Sequence, residues 1–355
     1  METIKNFEKA LEMAKRIYNN KMTEKVEDGK VIYSDEEAIK SLCSKVFTSD
    51  GEVNSIEDLR SFNKLIVEVA NIEAKAQFEQ IVNAVADYKT VGRYDQIQYI
   101  KLPNRKQTTV ALSASGTGVD FTKIPVKQTK IPAIPKQFQF GVQYSISEMV
   151  NEPVNAFRNA VDNVVEAKLK FIFNQIMTLA KNGATAGKIP SSQVVSASGI
   201  SLAQYRTVET KLIRAGKNVR PTLIADIAFI NALALKQGTE GLGGTGLSWL
   251  TDELRTSLLR DINFDMISRS IAIPTENDFT DETNSKTDLG IQDALLIAGG
   301  EGSPFKVTEY GGMRTSQDMP SIEKEQVLIK IDYVVDITLF AGNRLGVFTD
   351  TSLVL

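Results

Sequence analysis

Apolar positions recur every three to four residues in two early stretches of the chain. Ile4, Phe7, Leu11, Ala14 and Tyr18 form one narrow stripe, and this spacing predicts a polar, helical segment over residues 1–50. A turn at Thr48-Ser49-Asp50-Gly51 separates it from a second helix starting near Ser55, where Ser55-x-x-Asp58 reads as a capping box. The stripe of this helix runs Leu59, Phe62, Ile66, Val69, Ile72, Ala76 and Val82, ending near Tyr88. Stripes of this kind are packing faces before they are anything else.

The helical period stops at Lys89. Tyr94, Ile97, Tyr99, Ile100, Thr108, Thr109 and Val110 are strand formers; Ser113-Ala-Ser-Gly-Thr-Gly118 follows, and the chain returns with prolines at 125, 132 and 135. The pattern predicts a hairpin of two extended arms with a flexible tip, its returning arm confined to an edge or irregular strand. A lone two-stranded hairpin is marginal in water, so something else must hold it.

A long helical stripe comes next: Phe157, Val161, Val164, Val165, Leu169, Ile172, Ile176 and Leu179, with Asn151 as candidate N-cap, Pro153 in the first turn and Asn182-Gly183 as candidate C-cap. At 1.5 Å per residue its length is roughly 45 Å, that of a strut. Beyond it the pattern is mixed. Thr222–Asp226 reads as a short strand followed by a helix through Lys236, then a glycine-rich loop from Gly238 to Gly246 and a helix from Ser248 to Arg260. Phe264–Ile273 reads as a strand ending at Pro274, the span from Glu276 to Asp288 as an acidic loop, and Ala294–Ala298 as a buried strand. Val327–Leu339 and Leu345–Thr349 read as two closing strands around the turn Ala341-Gly-Asn-Arg344. There is no repeat at a fixed period.

Composition narrows the chemistry. The 355 residues contain no histidine and one cysteine, Cys43. That removes the commonest general base and metal ligand, every Ser-His or Cys-His pair, intrachain disulfides and thiolate clusters. The length suggests two or three domains. A net charge of −3 gives no global case for nucleic-acid affinity. The longest apolar run, Leu223 to Leu235, carries Asp226 and Asn231 and is too short to span a bilayer. Met1–Ala10 is charged and lacks an apolar stretch, so no secretory signal is expected. Charge is nevertheless uneven. Residues 89–136 hold nine lysines and arginines against Asp95 and Asp120, a net +7, which leaves −10 for the rest. A basic hairpin on an acidic body suits a contact with a neighbouring copy. Nucleic acid is the rival partner, but the aromatics are not spaced as a stacking platform.

The catalytic motifs fail on context. Gly241-Leu-Gly243-Gly244-Thr-Gly246 matches GxGxxG but follows a helix where the dinucleotide fingerprint needs a strand. Ser61-x-x-Lys64 and Ser321-x-x-Lys324 lack the companion motifs of the β-lactamase tetrad. The acidic loop lacks EF-hand spacing. No cofactor and no metal site is expected.

The element order is the informative feature: a polar helical arm, a long basic hairpin, Tyr144-Ser-Ile-Ser-Glu-Met-Val150, the strut helix, a mixed domain with a glycine-rich loop, and closing strands over Asp332–Phe340, Gly342-Asn-Arg344 and Val347-Phe-Thr349. This order resembles the major capsid protein of tailed bacteriophages, the Hong Kong 97-like shell fold. The resemblance implies an α+β chain with an N-arm over 1–88, an E-loop hairpin over 89–147, a P-domain with its spine helix over 148–203, an A-domain over 204–330 and closing strands over 331–355. It implies pentamers and hexamers of an icosahedral shell around double-stranded DNA, assembled in the host cytoplasm, and portal, scaffold or decoration proteins as partners. No membrane is involved. The inter-subunit contacts would fall on Lys101, Arg105, Lys106, Lys123, Lys127 and Lys130 of the hairpin, and the loop Gly241, Gly243, Gly244 and Gly246 would belong to the A-domain. Some relatives cross-link Lys to Asn, for which Lys101, Lys106 and Asn343 are the conceivable residues. Two rival readings stay open: an encapsulin-like nanocompartment shell, and a soluble enzyme using carboxylate or lysine chemistry.

Overall fold

The computed structural model describes residues 7–27, 30–82, 85–101, 129–240, 266–275, 277–300, 302–321 and 325–354. The N-terminal part contains α1 (Phe7–Tyr18), the hairpin β1 (Glu24–Glu27) and β2 (Lys30–Ser34), α2 (Asp35–Val46) and α3 (Ile56–Val82). The stripe predicted for α1 is its buried face, through Met13, Ala14 and Ile17. The expectation of helix throughout 1–50 fails at the β1–β2 hairpin. Glu27 pairs with Lys30 across Asp28-Gly29, a dipeptide that favours tight hairpin turns. Ser55 caps α3 by accepting from the Asp58 N–H at 3.4 Å. The helix stops at Val82, and Tyr88 lies in a strand, β3 (Ala86–Val91). That strand is fixed by parallel pairing with residues 305–310, a partner too distant for a local pattern to reveal.

The predicted hairpin is anchored by β4 (Gln98–Lys101) and β5 (Thr129–Pro132), paired antiparallel from Gln98↔Pro132 to Lys101↔Thr129. It is followed by β6 (Lys136–Ser145), α4 (Ile146–Asn151) and α5 (Pro153–Thr185). Both predicted caps of the long helix are displaced. Asn151 ends α4, whose own cap is Ser145, and Pro153 opens α5 after Glu152. Gly183 lies buried inside the last turn, where a Cβ would come within 2.6 Å of the Leu339 side chain. Thirty-three residues make α5 about 50 Å long.

The remaining elements are β7 (Val194–Ala197), α6 (Leu202–Ala215), β8 (Thr222–Ala225), α7 (Ile227–Glu240), β9 (Met266–Ile267), β10 (Ser270–Pro274), β11 (Asp293–Ile297), β12 (Phe305–Tyr310), β13 (Arg314–Ser321), β14 (Gln326–Leu339) and β15 (Leu345–Asp350). The predicted strand 264–273 is, in its described part, the short antiparallel pair β9–β10. The predicted helix 248–260 lies outside the described residues.

Two sheets organise the chain. In the first, the long β14 is central: β6 runs along one side, β13 and β12 along the other, and β3 lies parallel to β12. The second has six strands in the order β7-β15-β11-β8-β10-β9. The two closing strands therefore do not form a hairpin: β14 belongs to the first sheet and β15 to the second, so the chain end ties the sheets together.

The second sheet is a shared wall. Its side chains alternate, as the strand period of two requires. Ile224, Leu295, Ile297, Leu345 and Val347 face the core built by α1, α2, α3, α5 and the first sheet. Leu223, Ala225, Ala294, Leu296 and Phe348 face a separate core beneath α6 and α7. Because both of its faces are covered, β11 is buried along its whole length and reads as an unbroken apolar run. The elements follow one another in the order expected from the sequence, and the chain is α+β.

Candidate assembly surface

The hairpin leaves the body where β3 ends. A turn follows in which Asp95 accepts the Gly92 N–H at 2.7 Å, and β4 then leans over the first sheet. Tyr99 makes the anchor. Its phenol hydrogen-bonds the Thr308 hydroxyl on β12, and its ring meets Phe340 edge-on at 6.2 Å. Burial raises the Tyr99 pKa, keeping the phenol neutral. Beside it, Lys306 pairs with Asp87 and lies over the Phe340 ring at 5.4 Å. These contacts supply the packing that a two-stranded ribbon lacks on its own.

The outward side of the same base is apolar and unfilled. Tyr94 is 92% exposed, Ile134 63% and Ile100 52%. Lys89, Lys130 and Lys136 of the same stretch are exposed too, Lys130 opposite Ile100. Of the six predicted contact residues, Lys101 closes β4 opposite Thr129, and Lys130 sits on β5 opposite Ile100. Arg105, Lys106, Lys123 and Lys127 lie outside the described residues, as do Gly241, Gly243, Gly244 and Gly246. Asn343 is exposed on a 3-10 turn between the closing strands. Sequence reasoning missed Thr308 and Phe340, which hold the ribbon down; the alternation of Phe305 and Val307 with Lys306 and Thr308 was the available sign of a strand there.

The strut is mounted on the first sheet by aromatic and ionic contacts. Phe171 packs on Phe138 at 4.6 Å and on Tyr333 at 6.1 Å. Next to Phe171 on α5, Lys170 reaches Glu166 at 2.5 Å, Asp278 at 2.9 Å and Asp288 at 3.0 Å, tying α5 to the 277–289 loop.

Burial pushes the Cys43 thiol up to about 12, far from nucleophilic. Ser61 and Lys64 share an open cavity of about 410 Å³ with Arg60, Thr315, Ser316 and Asp318, but the Lys64 ammonium lies over the Phe7 ring at 4.6 Å. Among the described residues no cluster of three or more metal-binding side chains is present, and no helix is long and apolar enough to cross a membrane.

Comparison with known proteins gives a consistent result. A protein 34% identical over 342 residues, covering 96% of each chain, is the SPbeta prophage-derived protein YonB of Bacillus subtilis (strain 168). Among solved structures, a chain from Mycobacterium phage Cain aligns at 12% identity and a TM-score of 0.46, over 77% of this chain and 90% of that one. The holo-SrpI encapsulin complex of Synechococcus elongatus PCC 7942 aligns at 12% identity and 0.43, over 78% and 89%. The sequence profile of the family described as "SPbeta prophage-derived putative capsid protein YonB" matches residues 10–349. The chain belongs to this family of prophage-derived phage capsid proteins.

Proposed function

We propose that this chain is the major subunit of a phage head, assembling through pentamers and hexamers into an icosahedral shell around double-stranded DNA. Its work is interfacial rather than catalytic. One observation carries the reading within the family: the hairpin is bolted to its own subunit on one side by Tyr99 and offers Tyr94, Ile100 and Ile134 on the other. A neighbouring copy would cover that surface. Lys101, Arg105, Lys106, Lys123, Lys127 and Lys130 would meet the acidic remainder of the next subunit, where opposite potentials set register. Obligate interfaces bury on the order of 2,000–5,000 Å², enough to complete a ribbon that is marginal alone.

In this reading residues 1–88 are the arm, 89–147 the reaching hairpin and 148–203 the spine. Residues 204–330 carry the axial domain, with β12 and β13 lent to the spine sheet, and 331–355 close both sheets. Portal, scaffold or decoration proteins and assembly in the host cytoplasm belong to the same proposal. Sedimentation velocity of the purified chain, alone and with co-expressed scaffold, tests it. Species of hundreds of subunits are expected; a monomer or dimer under every condition would refute it.

A further inference from the structure

The unit around the six-stranded sheet is electrically polarised along β8 and β10. These strands are parallel, paired from Ile271↔Thr222 to Pro274↔Ala225. The segments entering their N-terminal ends are basic. Lys217 and Arg220 precede β8, Arg269 precedes β10, and Arg206 and Arg214 stand on the adjoining face of α6; all five are exposed. Arg206, Arg214 and Arg269 line a cleft of about 500 Å³, with Ile213 at its wall. The one acidic side chain between 203 and 220 is Glu209, and it is turned inward. Its carboxylate accepts the Arg269 N–H at 2.8 Å and the Ser270 hydroxyl at 2.6 Å, and it lines the same cleft, which leaves three guanidinium groups against one carboxylate there.

The C-terminal ends of the same strands lead to the opposite charge. The 277–289 loop carries Asp278, Asp281, Glu282 and Asp288 against Lys286; Asp278 and Asp288 also pair with Lys170 of α5, whose Glu166 adds a further carboxylate to the cluster. It is a built knuckle. Asn277 bridges Asp226 at 2.7 Å and the Leu289 carbonyl at 3.0 Å, and Thr280 N–H bonds the Lys286 carbonyl at 2.8 Å. The Asp281 carboxylate accepts the Ser285 and Lys286 N–H groups at 2.9 Å each. Phe279 projects from this knuckle, half exposed. Five residues of β10 separate the two ends, roughly 17 Å at strand spacing.

We propose that the acidic knuckle of one copy docks head-to-tail in the basic cleft of the next. A surface and its complement at opposite ends of one unit make a heterologous contact, the kind that closes into rings. Phe279 finds its apolar partners in Ile213 and the exposed Val219 beside the cleft. A second copy is favoured over nucleic acid because the same chain displays the matching charge in a preformed loop, which a DNA ligand would leave unsatisfied. The proposal rests on the shell reading above, naming one contact by which its rings form.

The test is a charge swap in the full chain. Arg206→Glu/Arg214→Glu reverses the cleft. Thr280→Lys/Glu282→Lys cancels the net charge of the knuckle and puts two cations at exposed positions whose side chains do not bond Asp281. Circular dichroism confirms folding, and sedimentation velocity reads assembly. Each pair alone should reduce assembled material at least tenfold, and the four-substitution chain should recover to within about twofold of the parent. Assembly unchanged by either pair overturns the contact, as does a folded four-substitution chain that stays unassembled. Normal assembly with lost DNA content in the cleft variant overturns it in favour of a DNA-facing patch. If the parent forms small rings that obey the swap, the shell reading fails and the contact stands. If the parent forms large shells indifferent to the swap, the reverse holds.

Discussion

The Lys168 ammonium lies 2.9 Å from the Glu309 carboxylate, and both side chains are almost wholly buried, at 2% and 3% exposure. The pair joins the middle of α5 to β12, with Lys168 also 5.2 Å from the Tyr333 ring centroid. Burial pushes the lysine pKa down and the glutamate pKa up. Neither charge is tolerable alone at this depth. Lys168→Met or Glu309→Leu singly is expected to cost about 3–5 kcal/mol, whereas Lys168→Met/Glu309→Leu together should lie near the parent. Urea unfolding of the three variants checks this; a double variant as damaged as the singles would show that the pair does more than neutralise itself.

Asp35 anchors the N-terminal helices. Its buried carboxylate accepts from Arg16 at 2.9 and 2.7 Å, from the Thr23 N–H and hydroxyl, and from Tyr33 at 2.8 Å. The Arg16 hydrogen bonds are the largest cause holding its pKa well below the usual carboxylate range. A depressed folded-state pKa contributes stability above the unfolded value of about 3.9 and loses it as pH falls below that. Asp35→Asn should therefore destabilise by about 1.5–3 kcal/mol at pH 7, with the gap to the parent narrowing below about pH 4. Thermal unfolding across pH 2–7 measures it; a gap independent of pH contradicts the assignment.

Gly342 sits where the chain crosses from one sheet to the other. A Cβ there would stand 2.2 Å from the Lys188 carbonyl oxygen, a backbone atom that cannot swing aside. Gly342→Ala is expected to cost about 1–3 kcal/mol in forced backbone movement, visible as a lowered Tm. An unchanged Tm would mean that the crossing relaxes freely.

Reversing Lys101, Arg105 and Lys106 to Glu tests the hairpin. The far-UV spectrum and Tm should stay close to the parent while particle yield falls at least tenfold. Full yield and unchanged particle stability would count against the hairpin contact.

Much of the plan was readable from local pattern because its parts obey local rules. The strut announced itself through Phe157, Val161, Val164 and Leu169, and the basic hairpin through nine cations against two carboxylates. What stayed hidden depends on long-range partners. β3 continues directly from α3 in sequence and becomes a strand by pairing with β12 more than two hundred residues away. Lys168 and Glu309 are 141 residues apart, and each alone looks like a surface charge. The shared sheet was hidden for a related reason: Leu295 and Leu296 are equally apolar, and their division between two cores depends on what covers each face. The β1–β2 hairpin was legible at Asp28-Gly29 but was masked by helical stripes on both sides.

The central claim is that this subunit is incomplete until a neighbour arrives. Electron microscopy of the purified full chain, imaged alone and after co-expression with scaffold, tests it most directly. The account predicts closed icosahedral particles in which residues 89–147 of each subunit lie against an adjacent copy. Monodisperse single subunits in every preparation, or shells whose hairpins touch no neighbour, would contradict it.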